Sequence, residues 1–131
     1  NSSGFKLWTK QLGTPLYDSA NGLAIDSSDN IYVTGYTQGN LYTYSGGKDA
    51  FLVKYNSGGT KQWIRQFGAP SFFQKSQYNS SSQAVSSEDE GKKVSIDSDG
   101  NIYLTGNTQG GLDGNSNSGK EDIFLIKYKS M

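Results

Sequence analysis

The sequence predicts an all-β chain built from two copies of one four-stranded antiparallel unit. Three observations carry this. First, the chain repeats itself: Ile25-Asp26-Ser27-Ser28-Asp29-Asn30-Ile31-Tyr32-Val33-Thr34-Gly35 returns as Ile96-Asp97-Ser98-Asp99-Gly100-Asn101-Ile102-Tyr103-Leu104-Thr105-Gly106. Asp49-Ala50-Phe51-Leu52-Val53-Lys54-Tyr55 returns as Asp122-Ile123-Phe124-Leu125-Ile126-Lys127-Tyr128, and Trp8-Thr9-Lys10-Gln11-Leu12-Gly13 as Trp63-Ile64-Arg65-Gln66-Phe67-Gly68. Second, apolar residues alternate with period two and no segment shows a helical period. Third, 17 Gly and only two Pro, with abundant Ser, Asn and Tyr, suit short strands joined by tight turns. A repeat of this length is a supersecondary unit that buries its apolar faces by stacking on copies of itself.

Within the first copy, residues 22–27 form the first expected strand, with Leu23 and Ile25 on one face, and run into the turn Asp26-Ser27-Ser28-Asp29-Asn30. Residues 30–36 follow, with Ile31 and Val33 set against Tyr32 and Thr34. A polar, Gly-rich loop leads to the third strand, 50–56, on which Phe51, Val53 and Tyr55 share a face. After the turn Asn56-Ser57-Gly58-Gly59, residues 61–67 alternate Trp63, Arg65 and Phe67. This is a four-stranded meander. Its strands are apolar on both sides, since Ala50 and Leu52 oppose Phe51 and Val53, whereas a sheet with one wet face alternates more cleanly. Sheets covered on both faces point to blades stacked around an axis, a β-propeller of typically four to eight blades. A β-sandwich of two meanders would leave each sheet's second apolar face bare.

The three repeated blocks, Trp-x-x-Gln-x-Gly, Ile-Asp-x-x-x-Asn-Ile-Tyr-x-Thr-Gly-x-Thr and Asp-x-Phe-Leu-x-Lys-Tyr-Asn-Ser-Gly-Gly, resemble the SBBP repeat of bacterial β-propeller proteins. The resemblance spans nearly the whole chain apart from an insert at about 70–91. It implies propeller blades in a surface or secreted bacterial protein, and it brings no catalytic residues with it.

The phase of the repeat sets the blade boundaries within the single propeller segment 1–131. Trp8 and Trp63 are 55 residues apart, and Tyr128-Lys129-Ser130 matches Tyr55-Asn56-Ser57. The chain thus holds two repeats cut in the same hairpin. By analogy with other propellers the first strand of each unit is innermost and the Trp strand outermost. Blade one is then 22–68, the loop insert 70–91, and 92–129 three strands of blade two. Residues 4–13, at the chain start, supply an outer strand that completes another blade. Two blades do not close a ring in which each subtends roughly 45–60°. The expectation is therefore either a piece of a longer propeller beside neighbouring blades, or a ring of further copies of the chain. In the ring, residues 4–13 of one copy complete the 92–129 sheet of the next, with six blades from three copies or eight from four. A lone copy would expose an apolar sheet face and an unpaired edge.

Charge and composition exclude several function classes. Lys plus Arg balances Asp plus Glu at 12 each, which leaves no net charge to draw nucleic acid. The absence of Cys and His removes the usual zinc sites, thiol nucleophiles and imidazole triads. No apolar run approaches the roughly 20 residues of a membrane span. No signal peptide is recognisable, and the start at Asn1 rather than Met leaves room for an upstream segment.

Four groups of residues hold candidate chemistry. Asp97-Ser98-Asp99-Gly100-Asn101 opens like a calcium loop, but position 12 is Thr108 where an EF-hand needs Glu, so a structural turn is expected. Asp113, Asn115, Asn117 and Glu121 sit at calcium-loop offsets, yet position 6 is Ser118 and position 12 Phe124. They are weak candidates for calcium, the only cofactor considered, and a Gly/Asn loop is the simpler expectation. Asp18, Asp49, Asp89 and Asp122 recur on one rim, which fits loop capping better than catalysis by a carboxylate pair. Phe72, Phe73 and Tyr78 of the insert, with Tyr42 and Tyr44 of loop 38–48, give aromatic anchors among polar groups, a composition typical of binding surfaces; the plainer alternative is a loop that tucks its aromatics onto the rim. Trp8 and Trp63 are expected to pack.

The expected function is a non-catalytic binding or scaffold module outside the bacterial cytoplasm, with a protein or glycan ligand at the loop rim. Two other readings stand beside it: an oligomeric carbohydrate-binding lectin and, more distantly, a carboxylate-dependent glycan hydrolase or lyase.

Overall fold

The computed structural model describes residues 3–42, 47–69, 72–75, 82–85 and 87–129, with the backbone alone described for 72–75 and 82–85. The nine strands among the described residues are antiparallel to the strands they pair with, and these residues contain no helix. Strands β1 (Asp18–Ile25), β2 (Ile31–Thr37), β3 (Asp49–Tyr55) and β4 (Lys61–Phe67) pair in sequence order as one meander. Strands β7 (Asp89–Ile96), β8 (Ile102–Thr108) and β9 (Asp122–Tyr128) form a second, three-stranded one. Between them β5 (Phe72–Lys75) and β6 (Ser82–Val85) pair as a hairpin within the segment expected as a loop.

The first strand starts four residues before the expected Gly22, because a bulge between Ala20 and Gly22 lets pairing continue to Asp18↔Thr37. The same bulge recurs between Gly91 and Lys93. It explains the glycine of the Thr-Gly motif. The bulge turns the Ser19 carbonyl towards Gly35, where a Cβ would lie 1.8 Å from that oxygen, and Gly106 meets Glu90 O at 1.9 Å in the same way. A period-2 pattern does not register an inserted residue, so sequence alternation stopped short of it.

The turn after the first strand is built by its aspartate. Asp97 Oδ1 accepts from the Asp99 and Asn101 amides, and Oδ2 from Asn101 Nδ2 and the Tyr103 hydroxyl, at 2.9–3.1 Å. Asp26 makes the same four bonds with Ser28, Asn30 and Tyr32. Gly100 takes φ +82° there, a left-handed conformation that suits glycine, and Asp29 holds the matching place at +62°.

The two meanders stack face to face. Tyr32, Ala50 and Leu52 of blade one meet Val94, Ile102, Leu104 and Phe124 of blade two in one buried cluster. Small residues and large ones are sorted along it. At the first strands the backbones converge, since a Cβ on Gly22 would lie 2.8 Å from Lys92 O, and Asn21 Nδ2 donates to Gly91 O at 2.9 Å. At the outer end Trp63, Phe67, Ile126 and Tyr128 pack against the cluster, with Phe67 edge-on to Phe124 at 5.8 Å. A wedge that is thin inside and thick outside is the shape that tiles around an axis.

Residues 5–13 join neither sheet. They lie across the other face of blade one, where Leu12 packs against the cluster of Phe51, Val53 and Ile64 and Trp8 Nε1 donates to Ser57 O at 3.2 Å.

Candidate functional site: the loop rim

Antiparallel pairing puts the start of β1, β3, β7 and β9 and the end of β2, β4 and β8 at one rim. Every long connection leaves there: 38–48, 68–88 with its hairpin, and 109–121. Among the described residues, the strand connections at the opposite rim are the tight turns at 26–30, 56–60 and 97–101.

The four recurrent aspartates line the loop rim and tie its backbone. Asp89 accepts from Thr108 Oγ1 at 2.5 Å and from the Ala69 amide at 3.0 Å. Asp18 repeats both contacts, with Thr37 Oγ1 at 2.5 Å and the Thr14 amide at 2.6 Å. Each therefore fastens the end of the second strand and the chain entering its own blade. Asp49 accepts from Gln66 Nε2 at 3.0 Å, and Asp122 from the Ser118 amide at 2.6 Å. Asp49 and Asp89 are fully buried on either side of Gly68, where a Cβ would lie 2.4 Å from one carboxylate and 2.8 Å from the other. Burial pushes the Asp89 pKa up, and the charge of Asp49 adds to it; the bonds from Thr108, Ala69 and Ser87 offset only part of the rise.

Gln66 is the organiser that sequence reasoning passed over. It is buried, and its Oε1 accepts from the Leu41 and Tyr42 amides at 2.7 and 2.9 Å while Nε2 donates to Gly39 O at 2.8 Å. One side chain thus folds loop 38–42 back onto the outer strand. The signal was present in the recurrence of Gln11 and Gln66 within Trp-x-x-Gln-x-Gly, but a lone amide in a strand pattern names no partner.

Held this way, Tyr42 is 57% exposed on the rim, with the Arg65 guanidinium 5.7 Å from its ring and 5.4 Å from that of Trp63. Of the other aromatics singled out in the sequence, Phe72 and Phe73 lie in β5, paired with Val85 and Ala84. Tyr44 and Tyr78 lie outside the described residues. The structure thus places the side chain of Tyr42 alone among the five.

Asp113, Asn115, Asn117 and Glu121 are all exposed. Asn115 donates its backbone and side-chain nitrogens to Leu112 O, and Asn117 Nδ2 donates to Gln109 O and Gly119 O. Among the described residues no three acidic, His or Cys side chains come together. The carboxylate of Asp97 is spent on its own turn, as above. Trp63 packs edge-on to Tyr32 at 6.1 Å, and Trp8 covers the equivalent place on blade one's far face.

With this geometry in view, a comparison with protein families matches the β-propeller repeat named SBBP over residues 7–43 and 62–113, more than half of the chain. The chain belongs to the SBBP β-propeller repeat family. A comparison with curated proteins finds no match. Each SBBP match begins one residue before a tryptophan, at Leu7 and Gln62, and runs on through the next two meander strands. The second match therefore straddles two sheets, with β4 of the first meander ahead of β7 and β8 of the second, while the first match opens with residues 7–13, which join neither sheet. Membership of this family carries a coarse function, that of a binding or scaffold module. Among the described residues no helix is long and apolar enough to cross a membrane.

Proposed function

We propose that this chain is a non-catalytic binding module of a secreted or surface-exposed bacterial protein, with the loop rim as its contact face. The observation that carries this reading is the asymmetry of the two rims: one is closed by tight turns, while the other gathers every long connection and the exposed Tyr42 ring beside the half-buried Arg65. An aromatic ring beside a guanidinium suits a polar ligand with flat apolar patches, either a glycan or a protein surface. Placement outside the cytoplasm follows the family resemblance.

The rim carboxylates favour binding over turnover. A glycan hydrolase needs two carboxyl groups open to the substrate, whereas Asp49 and Asp89 are buried and Asp18 and Asp122 are bonded to their own loops.

The test is capture of the labelled chain on an array of immobilised glycans and on a panel of bacterial surface proteins. Tyr42→Ala, Phe72→Ala and Phe73→Ala should each weaken capture at least several-fold with unchanged circular dichroism. Equal capture by all three variants would remove the rim from the account. Release of reducing ends from any arrayed glycan would replace binding by hydrolysis.

A further inference from the structure

The two blades meet through one face of each, and the two faces left over match the two that meet. In the contact already made, blade one contributes Tyr32, Thr34, Ala50 and Leu52, all 3% exposed or less. The same positions of blade two are Tyr103, Thr105, Ile123 and Leu125, and there Ile123 is 86% and Leu125 74% exposed. Blade two contributes Val94, Ile96, Ile102 and Leu104 to that contact. Their equivalents on blade one are Leu23, Ile25, Ile31 and Val33, with Leu23 60% and Ile25 57% exposed. One chain therefore shows both halves of a contact it has already formed once.

Residues 5–13 specify the geometry. β4 sets Phe67 against Phe124 of blade two, and the first segment sets its equivalent, Leu12, against Phe51, the equivalent of Phe124. The segment thus occupies, on blade one, the place that β4 occupies on blade two. β4 belongs to a sheet, paired with β3. Residues 5–13 have no such sheet, while among the described strands β9, the equivalent of β3, has a neighbour only in β8. Beside β9 lies a cleft of about 290 Å³ lined by Gly110, Leu112 and Asp122 among others. These are the equivalents of Gly39, Leu41 and Asp49, which hold Gln66. Gln11 is the equivalent of Gln66 and is exposed in the single chain. On blade one's far face, a second cleft of about 440 Å³ lies beneath residues 8–12, lined by Leu23, Ile31, Val33 and Phe51.

We propose that the partner of these surfaces is a second copy of this chain, joined head to tail. Ile123 and Leu125 of one copy fill the 440 Å³ cleft of the next, residues 5–13 of that next copy pair with the edge of β9, and its Gln11 enters the 290 Å³ cleft. The contact is heterologous, so it propagates until the rotation closes a ring. It is also apolar. The Lys48–Glu90 ion pair at the existing contact, 3.0 Å, has Glu121 and Ser19 in its place at the new one. This contact is independent of what the rim binds.

Two single variants test it by sedimentation. Leu23→Lys spoils one surface and Leu125→Lys the other, and both side chains are more than half exposed in the single chain, so each variant keeps its fold, verified by circular dichroism. Each alone should sediment as a monomer at concentrations where the unaltered chain is oligomeric. Mixed in equal amounts, they should form a 1:1 dimer that grows no further, because one sound contact remains between unlike copies. Gln11→Ala should weaken self-association at least tenfold. Self-association of either charged variant alone, or a mixture that stays monomeric, would overturn the proposal. So would an unaltered chain that is monomeric throughout, which would assign both faces to other blades of a longer polypeptide.

Discussion

At the scale of single residues, this chain uses polar side chains chiefly to fix its own backbone. Asp26 is held by four hydrogen bonds from Ser28, Asn30 and Tyr32. Burial pulls its pKa up, but those bonds outweigh burial and leave it below the ordinary carboxylate value. Asp89 moves the other way, because burial dominates. The two act oppositely on stability. The contribution of Asp26 is complete above the ordinary carboxyl pKa and is lost as pH falls through its lowered folded value. The fold instead loses stability as pH rises from the ordinary carboxyl pKa to the raised value of Asp89. Carbon-detected NMR titration should find Asp89 protonating above, and Asp26 below, an unstructured aspartate. Tyr32 is buried against Asp26, and burial followed by that carboxylate pushes its pKa from 10.0 to about 12. The unfolded chain therefore ionises first. Stability should fall between pH 10.0 and about 12, and Tyr32→Phe should flatten that limb of a pH–denaturation curve. A curve equally steep in the variant would assign it elsewhere.

At the scale of elements, the meander is set by alternation and the exact strand ends by the bulge. Gly35→Ala would drive a Cβ into the Ser19 carbonyl, and Gly106→Ala into that of Glu90. Each change should destabilise by more than the roughly 1–3 kcal/mol typical of overpacking, since the obstacle is backbone rather than a pliable side chain; thermal unfolding of the two variants measures it. Equivalent core positions should respond unequally. Leu52→Ala empties a fully buried site and should cost about 2–5 kcal/mol, whereas Leu125→Ala in a dissociated chain should cost well under 1 kcal/mol, the usual range for exposed sites. Three of the four strands of blade one were legible within a residue or so from period two and turn residues. The early start of β1 was not, because Asn21, the extra residue of the bulge, looks in sequence like any polar strand residue. The hairpin of β5 and β6 was hidden by Ser- and Gln-rich composition, which reads as loop. The rim was legible as a place, since the repeat fixes which ends of the strands meet. Its wiring was not: the reach of Gln66 to Leu41 and Tyr42 spans 24 and 25 residues of chain, and no local pattern encodes that.

At the scale of the whole molecule, the two blades form a wedge whose inner end is closed by backbone contact and whose outer end is filled by Trp63, Phe67 and Phe124. Such a wedge gains stability when its flanks are covered, and in one copy Leu23 and Ile25 on one flank and Ile123 and Leu125 on the other are exposed. The phase of the repeat is the sequence feature that bears on this, because it raises the expectation of an outer strand in residues 4–13 and of a 92–129 sheet without one. What alternation could not supply was the match between the bare faces, which rests on comparing the exposure of Ile123 and Leu125 with that of Ala50 and Leu52. Head-to-tail closure would also set several rims side by side, so that a weak rim site gains by multivalency. The most direct measurement is the mass of the unaltered chain by light scattering on a size-exclusion column across a dilution series. Head-to-tail closure gives a single species of three or four copies that persists on dilution. A mass of 14.2 kDa at every concentration, that of one chain, would contradict it.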